Sequence, residues 1–360
     1  MSTRHRGSTH QDVARRAHRR DLKYLETKPP GAGEARQIAD GLLWIRVPLP
    51  MELNHINLWL MEDDGGWTLV DTGMSADVCR DAWLALERDV CGRRPLRRIF
   101  ITHDHPDHMG LAPWLARRHD AEVWMSAPAR RSVTEFLQSE PDAVSKRIRG
   151  FVHSHGMDVA THRAMNLRGD HRSWFDGIPE PARTPAGGDE LRVRDRRWAI
   201  VETGGHCGGH LCLHDPVARL LISGDQVLPA ISPNVSVISS APDADPLREF
   251  LESLGRLETL PEDTLVLPSH GRPFRALRPR IADLRAHHLQ QLQSLRAACV
   301  EPRTAHELLP VMFGGALKGF HRLLALGEAV AHLNYLWTGG EFCRVRDGEG
   351  VFRFRIAPTG

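Results

Sequence analysis

The feature that most constrains this chain is the stretch IFITHDHPDHMG, which runs from Ile99 to Gly110. Apolar residues that read as a buried strand lead directly into three histidines and two aspartates within six residues. Ionisable groups beside a buried strand cost free energy unless something pairs with them. Imidazole and carboxylate groups at this spacing are common zinc ligands, and Pro106 suits the first turn of a following helix. The stretch therefore predicts a metal site at a strand end rather than a solvated loop.

Further candidate ligands also follow apolar strands. The segment AIVETGGH places His206 after a strand, LLISGD ends in Asp225, TLVLPSHG carries His270, and WTLVDTG carries Asp71. Each of these residues alone has a structural alternative, such as a turn residue or a core histidine. Strand ends along one edge of a sheet converge on a single cleft, so together they predict one site shared with the segment that begins at His103.

The order of predicted elements indicates an α/β fold with an appended region. Strand, loop and helix patterns alternate over residues 35–275, which is typical of a layered α/β domain. Within this range, residues 128–190 read as a helical insertion that can cover a site as a lid. Residues 276–360 carry long helical patterns and a terminal hairpin, which predict a small winged-helix-like domain. Residues 1–34 are predicted to form a basic flexible arm with little apolar surface, so removal of residues 1–30 should leave the fold intact.

Composition narrows the possible functions. The chain has 360 residues and a formal net charge of +2, and this near-neutral charge argues against a dedicated nucleic-acid binder without excluding one. Its six cysteines contain no CxxC pair, so we expect buried free thiols rather than disulfides or a thiolate zinc site. We find no apolar run long enough to span a membrane and no secretory signal, and we therefore expect a cytoplasmic location without membrane association.

The segments THDHPDH, GGH, GD and PSHG, in that order after VDTG, resemble the metallo-β-lactamase fold hydrolases over about residues 40–275. The resemblance implies a four-layer αβ/βα sandwich with a small C-terminal winged-helix-like domain, of the kind found in glyoxalase II-like and other two-domain hydrolases. It also implies a centre of two divalent metal ions. One ion is expected to be held by His103, His105 and His206, the other by Asp107, His108 and His270, with Asp225 bridging the two.

The resemblance also implies a reaction. A metal-bridging hydroxide attacks an activated acyl bond, with Asp107 and Asp225 as candidate catalytic residues and Asp107 orienting water or moving a proton. Zinc is the default cation, and the mixed nitrogen and oxygen ligands also suit iron or manganese. Asp71 is expected to support the metal-binding loop without touching an ion, and His210 to act in orientation or packing.

Several branches of the family can be weighed by their differences from this chain. A β-lactamase of this fold typically lacks the bridging aspartate found here at position 225, and RNA-processing nucleases carry a large insertion where only about 45 residues separate Asp225 from His270. A thioester of the coenzyme A or glutathione type is therefore the first expectation, with a lactone as the alternative. A metal-dependent endoribonuclease is the alternative of another class. The expected partner is a small acyl substrate, and the oligomeric state stays open, a homodimer included.

A run of arginines follows the last candidate ligand. Two interpretations are open: the run meets an anionic group such as the phosphates of coenzyme A, or it is a solvated basic face. The run consists of Arg272, Arg275, Arg278, Arg280 and Arg285.

Overall fold

The computed structural model describes residues 22–92, 94–158, 171–314, 317 and 319–358. Residues 1–21 of the expected basic arm and residues 159–170 of the expected lid lie outside the described residues.

Two sheets form the centre of the fold. The first has six strands whose order in space follows their order in sequence: β2 (Ala35–Ala39), β3 (Leu42–Pro48), β4 (His55–Asp63), β5 (Gly66–Val70), β6 (Leu96–Phe100) and β7 (Glu122–Trp124). The second has seven strands: β1 (Lys23–Tyr24), β13 (Phe274–Arg275), β12 (Leu265–Pro268), β11 (Leu220–Gly224), β10 (His210–Asp215), β9 (Arg196–Thr203) and β8 (Glu190–Val193), in that spatial order. A separate hairpin pairs β14 (Phe342–Arg346) with β15 (Phe352–Ile356).

The central strands are apolar on both faces because both faces are covered. In β4, Leu58 belongs to the core under the helices while its neighbour Trp59 points into the core between the two sheets. In β10 the same alternation places Leu211 between the sheets and Cys212 on the outer face. Successive side chains of a strand point to opposite faces, so a strand between two cores reads as a continuous apolar run.

Helices cover the outer face of each sheet and complete four layers. The helices are α1 (Asp77–Leu86, continued by a π-helical turn over Glu87–Cys91), α2 (Pro106–Met109), α3 (Ala112–His119), α4 (Ala127–Gln138), α5 (Pro141–Ser154), α6 (Pro246–Glu258), α7 (Leu277–Ala298), α8 (Ala305–Phe313) and α9 (Gly319–Thr338). The first, third and fourth of these pack on the six-stranded sheet, and the last four pack on the outer side of the seven-stranded sheet. The expected α/β sandwich with a C-terminal helical region and small sheet is confirmed.

The C-terminal helices share one hydrophobic core with the seven-stranded sheet. Leu221 of β11 and Val266 of β12 lie in the same buried cluster as Leu284 of α7, Leu326 of α9 and Phe354 of β15. The order of three helices and a hairpin agrees with the expectation for this region, while its winged-helix classification stays a prediction. In the described part of the chain, none of the helices has both the length and the apolar character needed to cross a bilayer.

The structure departs from the expected basic arm at residues 22–25. Residues 22–25 do not extend away from the fold, because Lys23 and Tyr24 pair with β13 at the edge of the seven-stranded sheet. Leu22 is only 7% exposed, and the Leu25 amide donates to the Pro273 carbonyl at 2.9 Å. The sequence of this segment offers a single two-residue strand, which is too short to produce a recognisable alternation.

Removing the edge strand is expected to lower the stability of the fold. A variant lacking residues 1–30 should melt at a lower temperature than one lacking residues 1–19, because burial of one leucine side chain contributes about 1.5–3 kcal/mol and the strand contacts are lost with it. Thermal unfolding followed by circular dichroism would measure the difference. Equal melting temperatures would restore the interpretation of this whole segment as a dispensable arm.

The first part of the expected lid belongs to the sandwich. Ala129 and Val133 of α4 are buried in the core of the six-stranded sheet, so this helix is a component of the outer layer. Phe151 and Val152 of α5 are buried in the core on the other side. A 3-10 turn at His171–Trp174 follows the undescribed residues. Whether any of residues 128–190 moves as a lid stays a prediction.

The arginine run after the last candidate ligand is largely engaged within the fold. Four of its members donate to main-chain carbonyls: Arg272 to Leu25, Arg275 to Asp263, Arg278 to Glu258 and Leu260, and Arg280 to Leu228 and Ile231. Arg280 is 9% exposed, and its two bonds measure 2.7 Å each. Arg285 lies 3.7 Å from the carboxylate of Glu258. These contacts give the run a structural role that neither of the two sequence interpretations anticipated.

Candidate metal centre

The expected ligands come together at one end of the two sheets. His103, His105, Asp107 and His108 lie between β6 and the end of α2, and Asp225 directly follows β11. His206 lies in the loop between β9 and β10, and His270 follows β12. The parallel pairing of β5 with β6 and of β11 with β12 brings these carboxyl ends to a common edge in each sheet. Hydrogen bonds such as Leu211 N to Thr102 O, at 2.9 Å, join the two edges beside the ligands.

One group of ligand atoms is formed by three histidines. Nδ1 of His105 lies 3.0 Å from Nε2 of His103 and 3.0 Å from Nε2 of His206. Oδ2 of Asp225 lies 3.6 Å from Nε2 of His206. The ligand atoms of the three histidines therefore converge as those around a single small cation do, and the second carboxylate oxygen of Asp225 is directed away from them.

A second group lies on the other side of Asp225. Oδ2 of Asp107 is 3.3 Å from Nε2 of His270 and 3.6 Å from Nε2 of His108. Oδ1 of Asp225 is 3.4 Å from Nε2 of His270 and 3.5 Å from Nε2 of His108. The two oxygens of one carboxylate thus face the two groups separately.

The geometry and the chemistry of the donor set fit divalent metal ions. Ligand atoms at about 2.0–2.1 Å from a tetrahedral ion lie about 3.3–3.4 Å from one another, close to the spacing found in the second group. In the described part of the chain, the buried atoms His108 Nε2, His270 Nε2 and Asp225 Oδ1 have no hydrogen-bond partner. Buried polar atoms without a partner are costly, and a cation between them would satisfy all three at once.

The electrostatics of the two groups differ. Burial, followed by the neighbouring ring of His105, lowers the pKa of His206 to about 4, so this imidazole is in the neutral form that binds metal. Burial alone would lower the pKa of His270, but Asp225 and Asp107 outweigh it and raise that pKa to about 10. Burial alone would raise the pKa of Asp225, but His270 and His108 outweigh it and hold that pKa well below its usual range. A metal ion bound in the second group would therefore displace the proton that the His270 ring carries in its absence.

Asp71 supports the ligand loop as expected. Its Oδ2 accepts from Nδ1 of His108 at 2.8 Å, which leaves Nε2 of that ring facing Asp107 and Asp225. Its Oδ1 accepts from the amide of Thr102 at 2.8 Å, and the hydroxyl of Thr102 donates to Oδ2. Partners of this kind fix the tautomer and the ring orientation of a metal-binding histidine.

His210 takes part in orientation and packing, as the sequence indicated. The ring is fully buried, its Nε2 accepts from the amide of Asp225 at 3.1 Å, and its Nδ1 lies 2.9 Å from Oγ1 of Thr203.

Close packing explains the glycine that precedes His206: a Cβ at Gly205 would lie 2.4 Å from the Cβ of Phe250 in α6. The six cysteines are free, and four of them are buried, which agrees with the expectation of buried thiols.

Asn57 is a supporting residue that sequence reasoning missed. It is fully buried and lies within the apolar segment INLWLM of β4. Its Oδ1 accepts from Nε1 of Trp44 at 2.9 Å and from Nε of Arg46 at 3.0 Å. Its Nδ2 donates to the carbonyls of Pro268 and Gly271, at 2.8 and 3.0 Å, on either side of His270. One polar residue inside the otherwise apolar segment INLWLM was the signal available in the sequence.

Replacing Asn57 with alanine is expected to destabilise the fold and loosen the loop that carries His270. The change leaves buried polar groups without a hydrogen-bond partner, and each such group costs about 1–3 kcal/mol. Chemical denaturation should show a loss of at least about 2 kcal/mol, and the metal content per chain should fall. The control is Gln290→Ala, which removes an exposed amide side chain from α7, far along the chain from the His270 loop. Similar losses in both variants would contradict the role given to Asn57.

The comparisons with known proteins agree with this geometry. Residues 52–270 match the family model of the metallo-beta-lactamase superfamily, and residues 292–357 match that of the metallo-beta-lactamase-like C-terminal domain. The chain therefore belongs to the metallo-β-lactamase superfamily and is a metal-dependent hydrolase of that fold.

Individual proteins are similar to this chain over most of its length. A beta-lactamase domain protein from Burkholderia ambifaria, known from its crystal structure, is 40% identical with a TM-score of 0.87, over 95% of this chain and 100% of that one. A metallo-beta-lactamase family protein from Thermus thermophilus is 29% identical with a TM-score of 0.75, over 89% of this chain and 100% of that one. The acyl-coenzyme A thioesterase MBLAC2 of Gallus gallus is 28% identical over 266 residues, which are 71% of this chain and 84% of the relative.

Proposed function

We propose that the chain hydrolyses thioesters of the acyl-coenzyme A type at the centre described above. The observation that carries the proposal is the position of Asp225, whose two carboxylate oxygens face two separate groups of ligand atoms. This arrangement suits two cations that share one carboxylate. The similarity to an acyl-coenzyme A thioesterase supports the substrate class.

The residues proposed to hold the two ions are those of the two groups. One ion would be held by His103, His105 and His206, the other by Asp107, His108 and His270, and both by Asp225. Zinc is the proposed metal, and nitrogen and oxygen donors are also compatible with iron or manganese. A bound pair of divalent cations supplies Lewis acidity, which polarises an acyl carbonyl and makes water nucleophilic at neutral pH.

Asp107 is proposed to move the proton during the reaction. Burial alone would raise the pKa of Asp107, but His108 and His270 outweigh it and lower that pKa to about 2, so the carboxylate is ionised at neutral pH. An ionised carboxylate in this position can orient the attacking water by accepting a hydrogen bond from it, and because its pKa is low it readily passes on to the leaving group any proton that it receives. A thioester suits such a site because its leaving thiolate needs little help from a strong acid.

The proposed function assigns different roles to two parts of the chain. Residues 35–275 would form the catalytic domain, and residues 276–360 would form a C-terminal domain that completes the surroundings of the cleft. The contact of α9 with Asn234, beside His206, supports this role for the C-terminal part.

A panel of substrates tests the proposed function. The protein loaded with zinc is incubated with acyl-coenzyme A, acyl-glutathione, a lactone and single-stranded RNA, and thiol release, ring opening and strand cleavage are measured. We expect release of coenzyme A, and its loss in the Asp225→Asn variant. Ring opening without thiol release would favour a lactone hydrolase. Cleavage of the RNA with no acyl hydrolysis would overturn the proposal in favour of an endoribonuclease.

A further inference from the structure

Asn234 connects the candidate ligand His206 to the C-terminal helix α9. Nδ1 of His206 donates to the main-chain carbonyl of Asn234 at 2.8 Å, while Nε2 of the same ring faces the other ligands. A hydrogen bond at one ring nitrogen fixes the tautomer and the direction of the other nitrogen. The position of the Asn234 carbonyl therefore sets the position of His206.

Asn234 belongs to the segment of residues 232–237, which lies directly on the backbone of α9. The amide of Val237 donates to the carbonyl of Gly327 at 3.0 Å, and Oγ of Ser236 lies 3.1 Å from the carbonyl of Leu324. A Cβ at Gly327 would lie 2.9 Å from the carbonyl oxygen of Val237 and 3.0 Å from Cβ of Ser236. Only a residue without a side chain allows this close approach, so the glycine fixes the distance between the segment and the helix.

The next residue of α9 holds the side chain of Asn234. Oε2 of Glu328 lies 3.5 Å from Nδ2 of Asn234, and Oδ1 of the same asparagine accepts from the hydroxyl of Ser236 at 2.7 Å. Burial raises the pKa of Glu328 to about 7, against the opposing effect of its bond to Asn234. A carboxyl group placed in such surroundings is costly, and its contact with Asn234 gives it a function there.

A second series of contacts connects the same segment to the C-terminal helices. Oγ of Ser232 lies 3.4 Å from Nε2 of His288 in α7, and Nδ1 of His288 lies 3.1 Å from Nε2 of His332 in α9. Nδ1 of His332 in turn donates to the carbonyl of Glu328 at 2.8 Å. The segment is thus held at several points by two helices that contribute no candidate ligand themselves.

We propose that Gly327 and Glu328 are positioning residues of the metal centre. They fix the place of Asn234, and Asn234 fixes the orientation of His206. The inference goes beyond the proposed thioesterase activity, because it concerns metal binding and holds for whatever substrate the centre accepts.

The affinity for metal of the full-length protein tests the inference without a substrate. Zinc is removed from each purified variant and added back in competition with a chromophoric chelator, and folding is checked by circular dichroism. Gly327→Ala is expected to weaken the binding of one of the two ions by about 10-fold, the lower end of the range typical of losing a partner of a metal ligand, because the Asn234 carbonyl is displaced rather than removed. The matched control is Gly255→Ala in α6, where a Cβ would meet only the end of the Arg285 side chain, at 3.3 Å.

A pair of variants at position 328 separates positioning from general stability. Glu328→Leu removes the acceptor for Nδ2 of Asn234 and should weaken the same ion, while Glu328→Gln keeps an acceptor and should retain the parental affinity. This pair also decides the matter if Gly327→Ala does not fold. Parental affinity for both ions in folded Gly327→Ala and Glu328→Leu would overturn the inference, and so would an equal loss in Glu328→Leu and Glu328→Gln. None of these results depends on whether acyl-coenzyme A is hydrolysed.

Discussion

Replacing Asp225 with asparagine is expected to remove most of the bound metal and to lower kcat by more than about a hundredfold. This loss exceeds the loss of about 10- to 100-fold that is typical when a residue hydrogen-bonded to a metal ligand is removed, because Asp225 is itself a proposed ligand. The reason is the double role of this carboxylate, whose Oδ1 faces His108 and His270 and whose Oδ2 faces His206. An amide offers one neutral oxygen in place of two charged ones, so it cannot serve both groups. Metal content per chain, measured by mass spectrometry, and turnover of the substrate found in the panel would check this result.

The control for this variant is His119→Ala. His119 lies at the end of α3, where Nε2 contacts Oε1 of Glu87 at 2.8 Å, outside both groups of ligand atoms. Its replacement should leave metal content and turnover close to those of the parent protein. If the two variants lost activity equally, the assignment of Asp225 to the centre would be wrong.

Removal of the metal ions is expected to abolish hydrolysis and to lower the melting temperature. Without a cation, the buried atoms His108 Nε2, His270 Nε2 and Asp225 Oδ1 make no hydrogen bond to any described residue. A ligand that binds only the folded state stabilises it by about 2.7 kcal/mol at a concentration of 100 times its Kd. The melting temperature of chelator-treated protein should therefore rise as zinc is added back, together with activity.

The specificity of this effect can be measured with a second variant. His270→Ala removes one ligand atom of the second group, so its melting temperature should depend less on added zinc than that of the parent protein. An unchanged dependence on zinc in His270→Ala, or full hydrolysis by metal-free protein, would contradict the proposed centre. Calcium, which prefers oxygen ligands, should restore little of either property.

The parts of the site that follow strands were predictable from the sequence. His103, Asp225 and His270 each come within three residues of the end of an apolar strand, and strand ends along one edge of a sheet lie close together. The resemblance of the motifs then gave the expected grouping of the ligands. The structure places all seven expected residues together, and their coordination of metal stays a prediction.

The supporting roles of Asn57 and Asn234 were not predictable, because the partners of these residues are distant in the chain. Asn57 donates to the carbonyl of Pro268, 211 positions away, and Asn234 acts on His206 through a main-chain carbonyl that its side-chain type does not reveal. Arg280 reads as part of a basic surface, yet it is buried against the carbonyls of Leu228 and Ile231. A sequence shows residue types, whereas these roles depend on which backbone atoms the fold brings near them.

The single buried cluster that joins the seven-stranded sheet to the C-terminal helices limits how this enzyme can be re-engineered. Val266 of β12 and Phe250 of α6 share that cluster with Leu292 of α7 and Leu333 of α9. A gene cut after residue 275 would encode a protein with a bare apolar face, which favours aggregation. Replacing the region after residue 275 with that of a relative would therefore require exchanging the matching sheet residues in the same step.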